Sequence, residues 1–215
     1  MDGPPRIFLL SPARLDGERA RLLFRPATMF PLARALRSGE GAPVGEVFSF
    51  LSGLYFRGKL AYAEAFARPP KKLKSGVFII TTNRGLLTPS TRVHLDDLAR
   101  LAETEIDLSS EQFRIPLQRD AQWVASSLGR RGQPVLLGSI ASAKYIHVLL
   151  SVFNEQLLFP QEFVGRGDMS RGGLLLRCVD GNLELAYTPV RGAVRRGVRP
   201  PKLPPRRHGP HGSGC

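Results

Sequence analysis

A chain of 215 residues, 42% hydrophobic and 23% charged, holds enough apolar material for one globular domain, which argues against a disordered or membrane-embedded protein. Its net charge is +13, and seven basic residues with no acidic one fall within residues 190–215, which leaves about +6 for residues 1–189. A basic body with a more basic tail favours a polyanionic partner such as nucleic acid. A general enrichment in arginine would give the same charge.

Cysteine usage and the N-terminus bear on the compartment. Cys178 and Cys215 form no convincing disulfide framework, which is typical of a reducing compartment. The histidines have no metal-ligand spacing, so we expect no metal and no cofactor. There is no basic segment followed by a signal-like apolar run, and no apolar stretch approaches the ~18 residues of a membrane span. The sequence therefore predicts a cytoplasmic protein outside the membrane.

Hydrophobic patterning in the first half predicts strands alternating with helices. Residues 6–10 predict a buried strand, and residues 21–24 a short strand or turn. Helical spacing predicts helices over residues 30–36 and 58–67. Residues 76–82 form the most continuous β-branched run, which is typical of a central strand of a parallel sheet.

The second half continues this alternation. Helices are predicted over residues 96–101, 116–128 and 142–153, with strands over residues 134–139 and 157–160. This order predicts an α/β fold, a single three-layer domain over residues 1–189 with a mainly parallel sheet.

The C-terminal part of the predicted domain ends in a hairpin. Its strands are residues 174–178 and 183–187, joined by the turn Asp180-Gly181-Asn182. Residues 190–215 have little to bury and predict a disordered basic tail.

The glycine-arginine stretch over residues 165–173 predicts a ligand-binding loop between strands. Its glycines allow close backbone approach, and Arg166, Ser170, Arg171 and Gly172 are candidates for binding an anion. Asp168 is the candidate catalytic residue, as a general base or a water-positioning group. Alternatively, Asp168 and Ser170 satisfy only the backbone of their own loop.

Polar residues also follow the two strongest predicted strands. Asn83 and Arg84 follow residues 76–82, and Ser139 and Ser142 follow residues 134–139. Ligands bind at the carboxyl ends of strands in open α/β sheets, so these residues are candidates for anion binding. An ordinary polar turn and a helix capped by Ser142 are the alternatives.

The turn after residues 134–139 does not fit two catalytic motifs. Ala143 and Tyr145 stand where a nucleotide-triphosphate loop needs a glycine and a hydroxyl residue. A Ser/Tyr/Lys nucleophile built from this turn would need the side chains of Lys144 and Tyr145 to converge, whereas neighbours on a helix diverge.

The tail supplies a separate set of candidate phosphate contacts. These residues are Arg191, Arg195, Arg196, Arg199, Arg206 and Arg207.

Three segments in the same order resemble a poorly characterised bacterial family. They are residues 54–63 (a tyrosine and Phe-Arg before an alanine-rich helix), residues 77–87 and residues 138–150. Members of that family often accompany nucleic-acid modification systems, and the family is similar to uracil-DNA-glycosylase-like α/β folds and, more distantly, to peroxide-stress proteins of the YaaA type. The chain departs from it at Thr82-Asn83-Arg84, where the family has Ala-Lys-Tyr, so no catalytic residue carries over.

The resemblance implies a three-layer α/β domain with a nucleobase- or nucleic-acid-related role. We therefore expect an enzyme-like domain with an anion-binding cleft at the carboxyl edge of the sheet. One alternative is a non-catalytic nucleic-acid-binding module that uses the basic body and tail, and another is an enzyme acting on a phosphorylated or carboxylated metabolite.

Overall fold

A computed structural model describes residues 3–141, 144–194 and 197–203. The helices in this part of the chain are α1 (Glu18–Phe24), α2 (Pro31–Arg37), α3 (Val44–Ser52), α4 (Leu54–Phe66), α5 (Leu95–Glu103), α6 (Glu111–Leu128), α7 (Lys144–Phe153) and α8 (Asp168–Asp180). The strands are β1 (Arg6–Leu10), β2 (Ala42–Pro43), β3 (Val77–Ile80), β4 (Leu86–Leu87), β5 (Arg92–Val93), β6 (Gln133–Leu137), β7 (Leu158–Pro160) and β8 (Tyr187–Pro189).

Six of these strands form one sheet in the order β4-β3-β1-β6-β7-β8. β1 lies between β3 and β6 and is parallel to both, with Phe8 opposite Val77 on one side and Val135 on the other. β7 continues the parallel set beside β6, and the edge strands β4 and β8 are antiparallel to their neighbours. Every residue of β1 is buried, as a strand covered on both faces requires.

Helices cover both faces of this sheet. The connections from β1 to β3 and from β3 to β6 run in opposite directions across it, so right-handed crossovers place their helices on opposite faces. α4 packs against α8, β1 and β3, whereas α6 packs against α7. The structure thus confirms the predicted single α/β domain with a mainly parallel sheet.

α4 and α8 approach each other at two glycines. A Cβ added to Gly58 would lie 2.7 Å from the backbone oxygen of Gly172, and one added to Gly172 would lie 2.8 Å from that of Leu54. The two helices are therefore in backbone contact, which only residues without a side chain allow. Gly172 is a buried packing residue in the middle of a helix.

This contact explains why the predicted C-terminal hairpin is wrong. α8 spans the expected loop from Asp168 onward and the expected strand over residues 174–178, with Leu175 and Cys178 on its buried face. The glycines of residues 165–173 predict a ligand-binding loop, whereas Gly172 serves the close approach of α4. β8 pairs instead with β7, antiparallel and across a long connection.

The predicted and observed elements also differ in smaller ways, in the type of one element and in the first residue of two helices. Residues 21–24 belong to α1 rather than to a strand, α4 begins at Leu54 rather than at residue 58, and α6 begins at Glu111 rather than at Pro116. The last error arose because proline is typical of a first helical turn.

Parts of the predicted tail contact the domain. Val190 is buried, and its N–H donates to the Leu157 carbonyl at 2.8 Å. The Val198 carbonyl lies against Gly165, where an added Cβ would meet it. Residues 195–196 and 204–215 lie outside the described residues.

Gly172→Ala tests the close approach of α4 and α8. The added methyl group would meet backbone atoms of Leu54 and Tyr55 at 2.8 Å, so we expect the free energy of unfolding to fall by ~1–3 kcal/mol, as overpacking does. Gly173→Ala is the matched control, because a Cβ there meets only the ends of flexible side chains, the nearest being Arg177 Nη1 at 3.1 Å. Chemical denaturation followed by circular dichroism measures both, and equal losses would contradict the packing role of Gly172.

Candidate functional site

An open cleft of about 1110 Å³ lies at the carboxyl edge of the sheet. Its floor is formed where β1 and β6 end, because the chain leaves these neighbouring strands toward opposite faces. Such a switch point is the usual ligand position in doubly wound sheets. The residues of the cleft that carry polar or titratable groups include Ser11, Arg14, Asp16, Tyr55, Thr82, Glu105, Ser139, Lys144, Tyr145 and Asp168.

A buried lysine lies behind the floor of this cleft. Lys59, on α4, is only 1% exposed. Its Nζ donates to the Ser11 backbone oxygen at 2.6 Å and to Ser11 Oγ at 2.9 Å. The same nitrogen lies 4.6 Å from the centre of the Tyr55 ring and 4.7 Å from that of Phe56, at distances typical of cation–π contacts.

Burial lowers the pKa of Lys59 into the neutral range. Loss of solvation lowers the pKa of Lys59 to about 7, while the negative charge of Asp168 raises it and the positive charge of Arg171 lowers it further. A substantial share of Lys59 is therefore a neutral amine near pH 7, which can accept a proton.

Two tyrosine hydroxyls lie around Ser11 and Lys59. Tyr145 Oη donates to the Ser139 backbone oxygen at 3.0 Å, and burial raises the pKa of Tyr145 to about 12. Gly138 makes this arrangement possible, since an added Cβ would lie 2.8 Å from both Tyr145 Oη and Ser11 Cβ. Both tyrosines stay protonated at neutral pH and can donate, because burial also raises the pKa of Tyr55.

The hydroxyl of Tyr55 is the less satisfied of the two. Tyr55 Oη is buried and makes no hydrogen bond of acceptable geometry within the described part of the chain. The guanidinium of Arg171 is close enough to lower the pKa of Tyr55, opposing the larger effect of burial. A buried donor without a partner is costly unless a ligand or water accepts its hydrogen bond.

The predicted catalytic residue Asp168 lies at the rim of the cleft. It is the first residue of α8, and its side chain is 70% exposed. Its Oδ1 is 3.5 Å from Arg171 Nη1. Arg171 itself is held by the protein, since its guanidinium donates to the Phe163 carbonyl at 3.0 Å through Nη2 and lies over the Phe163 ring.

The structure brings only some of the predicted site residues together. Ser139 and Asp168 line the cleft. Asn83 donates to the Arg100 carbonyl at 2.8 Å and to Thr104 Oγ1 at 2.9 Å, and borders a separate depression between α5 and α6.

Two of the predicted arginines, Arg84 and Arg166, lie elsewhere. Arg84 is 3.4 Å from Asp97 on α5. Arg166 donates to Ser170 Oγ at 3.2 Å, and both border a groove on the opposite side of α8. Gly172 lies in the helix contact described above, and Ser142 lies outside the described residues.

The two predicted tail arginines that the structure describes lie at different places. Arg191 contacts Glu155 at 3.0 Å and Asn154 at 2.9 Å. Arg199 borders the groove beside α8. The remaining four, Arg195, Arg196, Arg206 and Arg207, lie outside the described residues.

Our sequence analysis missed Ser11, Tyr55 and Lys59. Two signals were available. Ser11 directly follows the first buried strand, and Lys59 stands four residues after Tyr55 and three before Tyr62 on an otherwise apolar helix face. The distance of 48 residues between Lys59 and Ser11 concealed their contact.

No protein-family model, curated protein or solved structure matches the chain. Within the described ranges, no cluster of three or more His, Cys, Asp or Glu residues could hold a metal ion. The same part of the chain contains no helix that is both long enough and apolar enough to cross a membrane.

The burial of Lys59 predicts how stability depends on pH. The unfolded chain keeps this lysine protonated up to about pH 10.5, whereas the folded chain releases the proton near pH 7, so the cost of burying it falls as pH rises between these values. We expect the unfolding free energy of the native protein, relative to Lys59→Met, to rise with pH across this window.

Denaturation curves of both proteins at several pH values measure this difference. Lys144→Met, which removes an exposed lysine at the same cleft, corrects for the general loss of a positive charge. Parallel stability profiles for the native protein and Lys59→Met would contradict the assigned burial of a titrating amine.

Proposed function

We propose that the chain is an enzyme-like domain that binds a nucleobase-containing ligand of nucleoside or nucleotide size in the cleft at the carboxyl edge of the sheet. One observation carries this proposal: Tyr55 and Tyr145 line a cleft of about 1110 Å³, and the buried amine of Lys59 lies directly behind its Ser11, so three groups with shifted pKa values meet at this cleft. Perturbed titratable groups in a cleft at a switch point are typical of active sites.

The walls of the cleft fit such a ligand. Leu51, Leu101 and Ile106 give it an apolar side, against which a planar base can lie. Arg14 and Lys144 are the basic residues at its edge, and Arg14 is engaged with Asp16 at 2.8 Å. One available cation suits a single phosphate or carboxylate rather than the backbone of a long polyanion.

Asp168 has a place in this proposal. Its exposed carboxylate at the rim, 3.5 Å from Arg171 Nη1, can orient a water molecule or accept a proton from it. The buried hydroxyl of Tyr55 supplies a donor that a ligand oxygen or nitrogen can accept.

A panel of nucleobases, nucleosides and nucleoside monophosphates, measured by calorimetry, tests the ligand class. We expect saturable binding of one base type. Lys144→Ala should weaken binding of the monophosphate more than binding of the nucleoside, because only the monophosphate carries a negative charge. Tighter binding of base-free phosphorylated or carboxylated metabolites would replace this ligand class with a metabolite. Absence of binding by every member would contradict the proposal.

Asp168→Asn tests catalysis separately from binding. With the best ligand of the panel as substrate, we expect affinity to stay within a few-fold and turnover, followed by chromatography of products, to fall ~100-fold or more. Asp96→Asn is the matched control, because Asp96 is likewise an exposed carboxylate in the first turn of a helix, on α5. Unchanged turnover in Asp168→Asn would remove Asp168 from the mechanism.

A second candidate function, nucleic-acid binding without catalysis, is favoured by the groove on the other side of α8. Arg166, Arg177, Arg199 and Lys202 border this groove of about 380 Å³, together with Ser170. Four basic side chains along one groove are suited to successive phosphates.

Salt dependence tests this candidate. We expect affinity for a DNA or RNA oligonucleotide to fall steeply with salt, and the double variant Arg199→Glu/Lys202→Glu to weaken binding and reduce that slope. The double variant Arg14→Glu/Lys144→Glu, at the edge of the other cleft, makes the matched change of charge away from the groove. Equal weakening by both double variants would indicate non-specific attraction rather than a groove.

A further inference from the structure

Ser11 occupies the position of a nucleophile in the cleft. It follows the central strand β1 directly, lines the cleft floor and keeps 8% of its surface exposed. Lys59 lies behind it, 1% exposed, with Nζ 2.9 Å from Ser11 Oγ. An amine buried behind a serine that lines a cleft, and hydrogen-bonded to its hydroxyl, is the arrangement of a serine–lysine pair.

We propose that Ser11 Oγ is the nucleophile and Lys59 the general base of an acyl-transfer reaction on an ester or amide group carried by the ligand of this cleft, with Tyr55 Oη as the donor to the developing oxyanion. The inference rests on the proposed function for the identity of the ligand but not for the reactivity of Ser11.

The contacts of Lys59 fit both protonation states. As an ammonium it donates to the Ser11 backbone oxygen and to Oγ. As a neutral amine it keeps one donated bond to the backbone oxygen at 2.6 Å and turns its lone pair to accept the Oγ hydrogen. The backbone contact holds Nζ in position while the proton moves. The low pKa of Lys59, about 7, makes the neutral form accessible near neutral pH.

The buried hydroxyl of Tyr55 is the candidate donor to the oxyanion. Tyr55 is 6% exposed, its Oη makes no hydrogen bond of acceptable geometry within the described ranges, and its ring contacts Lys59 Nζ. The nearby Arg171 guanidinium can only donate toward this oxygen, so the hydroxyl hydrogen of Tyr55 is left to donate to an oxygen that gains charge during the reaction.

The reaction balances with water as the only co-reactant. Ser11 Oγ forms a bond to the acyl carbon, its proton passes to Lys59 Nζ, and the carbonyl electron pair moves to oxygen. The carbonyl re-forms as the bond to the leaving group breaks, and the Lys59 ammonium returns the proton to that group. Water then attacks the acyl-serine with Lys59 again as the base, which releases the acid and restores Ser11.

A fluorophosphonate probe tests the nucleophile on the full-length protein. Attack by Ser11 Oγ forms an oxygen–phosphorus bond and expels fluoride, and intact-mass spectrometry with peptide mapping locates the adduct. We expect a single adduct, on Ser11, that forms faster as pH rises through about 7, because the neutral form of Lys59 accepts the proton.

Three variants complete the test. Ser11→Ala abolishes the adduct, and Lys59→Met, similar in volume, slows labelling ~100-fold or more. Ser151→Ala, an exposed serine on α7 away from the cleft, leaves the labelling rate unchanged. If Lys59→Met fails to fold, the pH profile of the native protein decides, since a serine without this base would show no rise near pH 7.

The outcomes separate this inference from the proposed function. A folded native protein that gains no adduct on Ser11, or is labelled at a pH-independent rate, overturns the serine–lysine pair even if nucleosides bind. An adduct on Ser11 in a protein that binds no nucleobase-containing ligand supports the pair and overturns the ligand class alone.

Discussion

The backbone contact between α4 and α8 determines both the fold and the electrostatics of the cleft. A Cβ added to Gly58 would lie 2.7 Å from the Gly172 carbonyl oxygen, and each of these glycines is adjacent in sequence to a charged residue of the site, Lys59 and Arg171. Bringing the helices together at this point therefore places two cations near each other beneath the cleft. Their repulsion is one of the two effects that lower the pKa of Lys59, the larger being loss of solvation.

A buried lysine is tolerated here because several weak interactions offset its desolvation. Nζ has two hydrogen bonds to Ser11 and lies over the rings of Tyr55 and Phe56. These contacts hold the amine in one place, and the carboxylate that raises its pKa, Asp168, lies at the exposed rim. A directly paired carboxylate would hold the lysine charged, whereas this environment leaves it able to exchange a proton.

The elements that could be predicted are the strands and helices whose own residues carry a clear hydrophobic pattern. The buried strands β1, β3 and β6 have continuous apolar runs, and α6 has a clear helical period, so each was predicted near its observed place. α8 was not, because Gly172 serves a contact with a helix more than a hundred residues earlier. The lining of the cleft was predictable to the same extent. Strand ends and turn chemistry pointed to Ser139 and Asp168, which line it, whereas the Lys59–Ser11 contact depends on how α4 packs against β1.

α8 also lies between the basic groove and the cleft that holds the candidate catalytic residues. One side of the helix carries Asp168 at the cleft rim and Arg171 close to Tyr55 and Lys59, and the other carries Ser170 and Arg177 toward the basic groove. The cleft edge mixes basic and acidic residues, so the high net charge is not concentrated there. A strongly basic composition therefore does not by itself make the cleft a nucleic-acid channel. If a polyanion binds, the basic groove is its better-suited position, and the buried amine and hydroxyls of the cleft remain available to a small ligand.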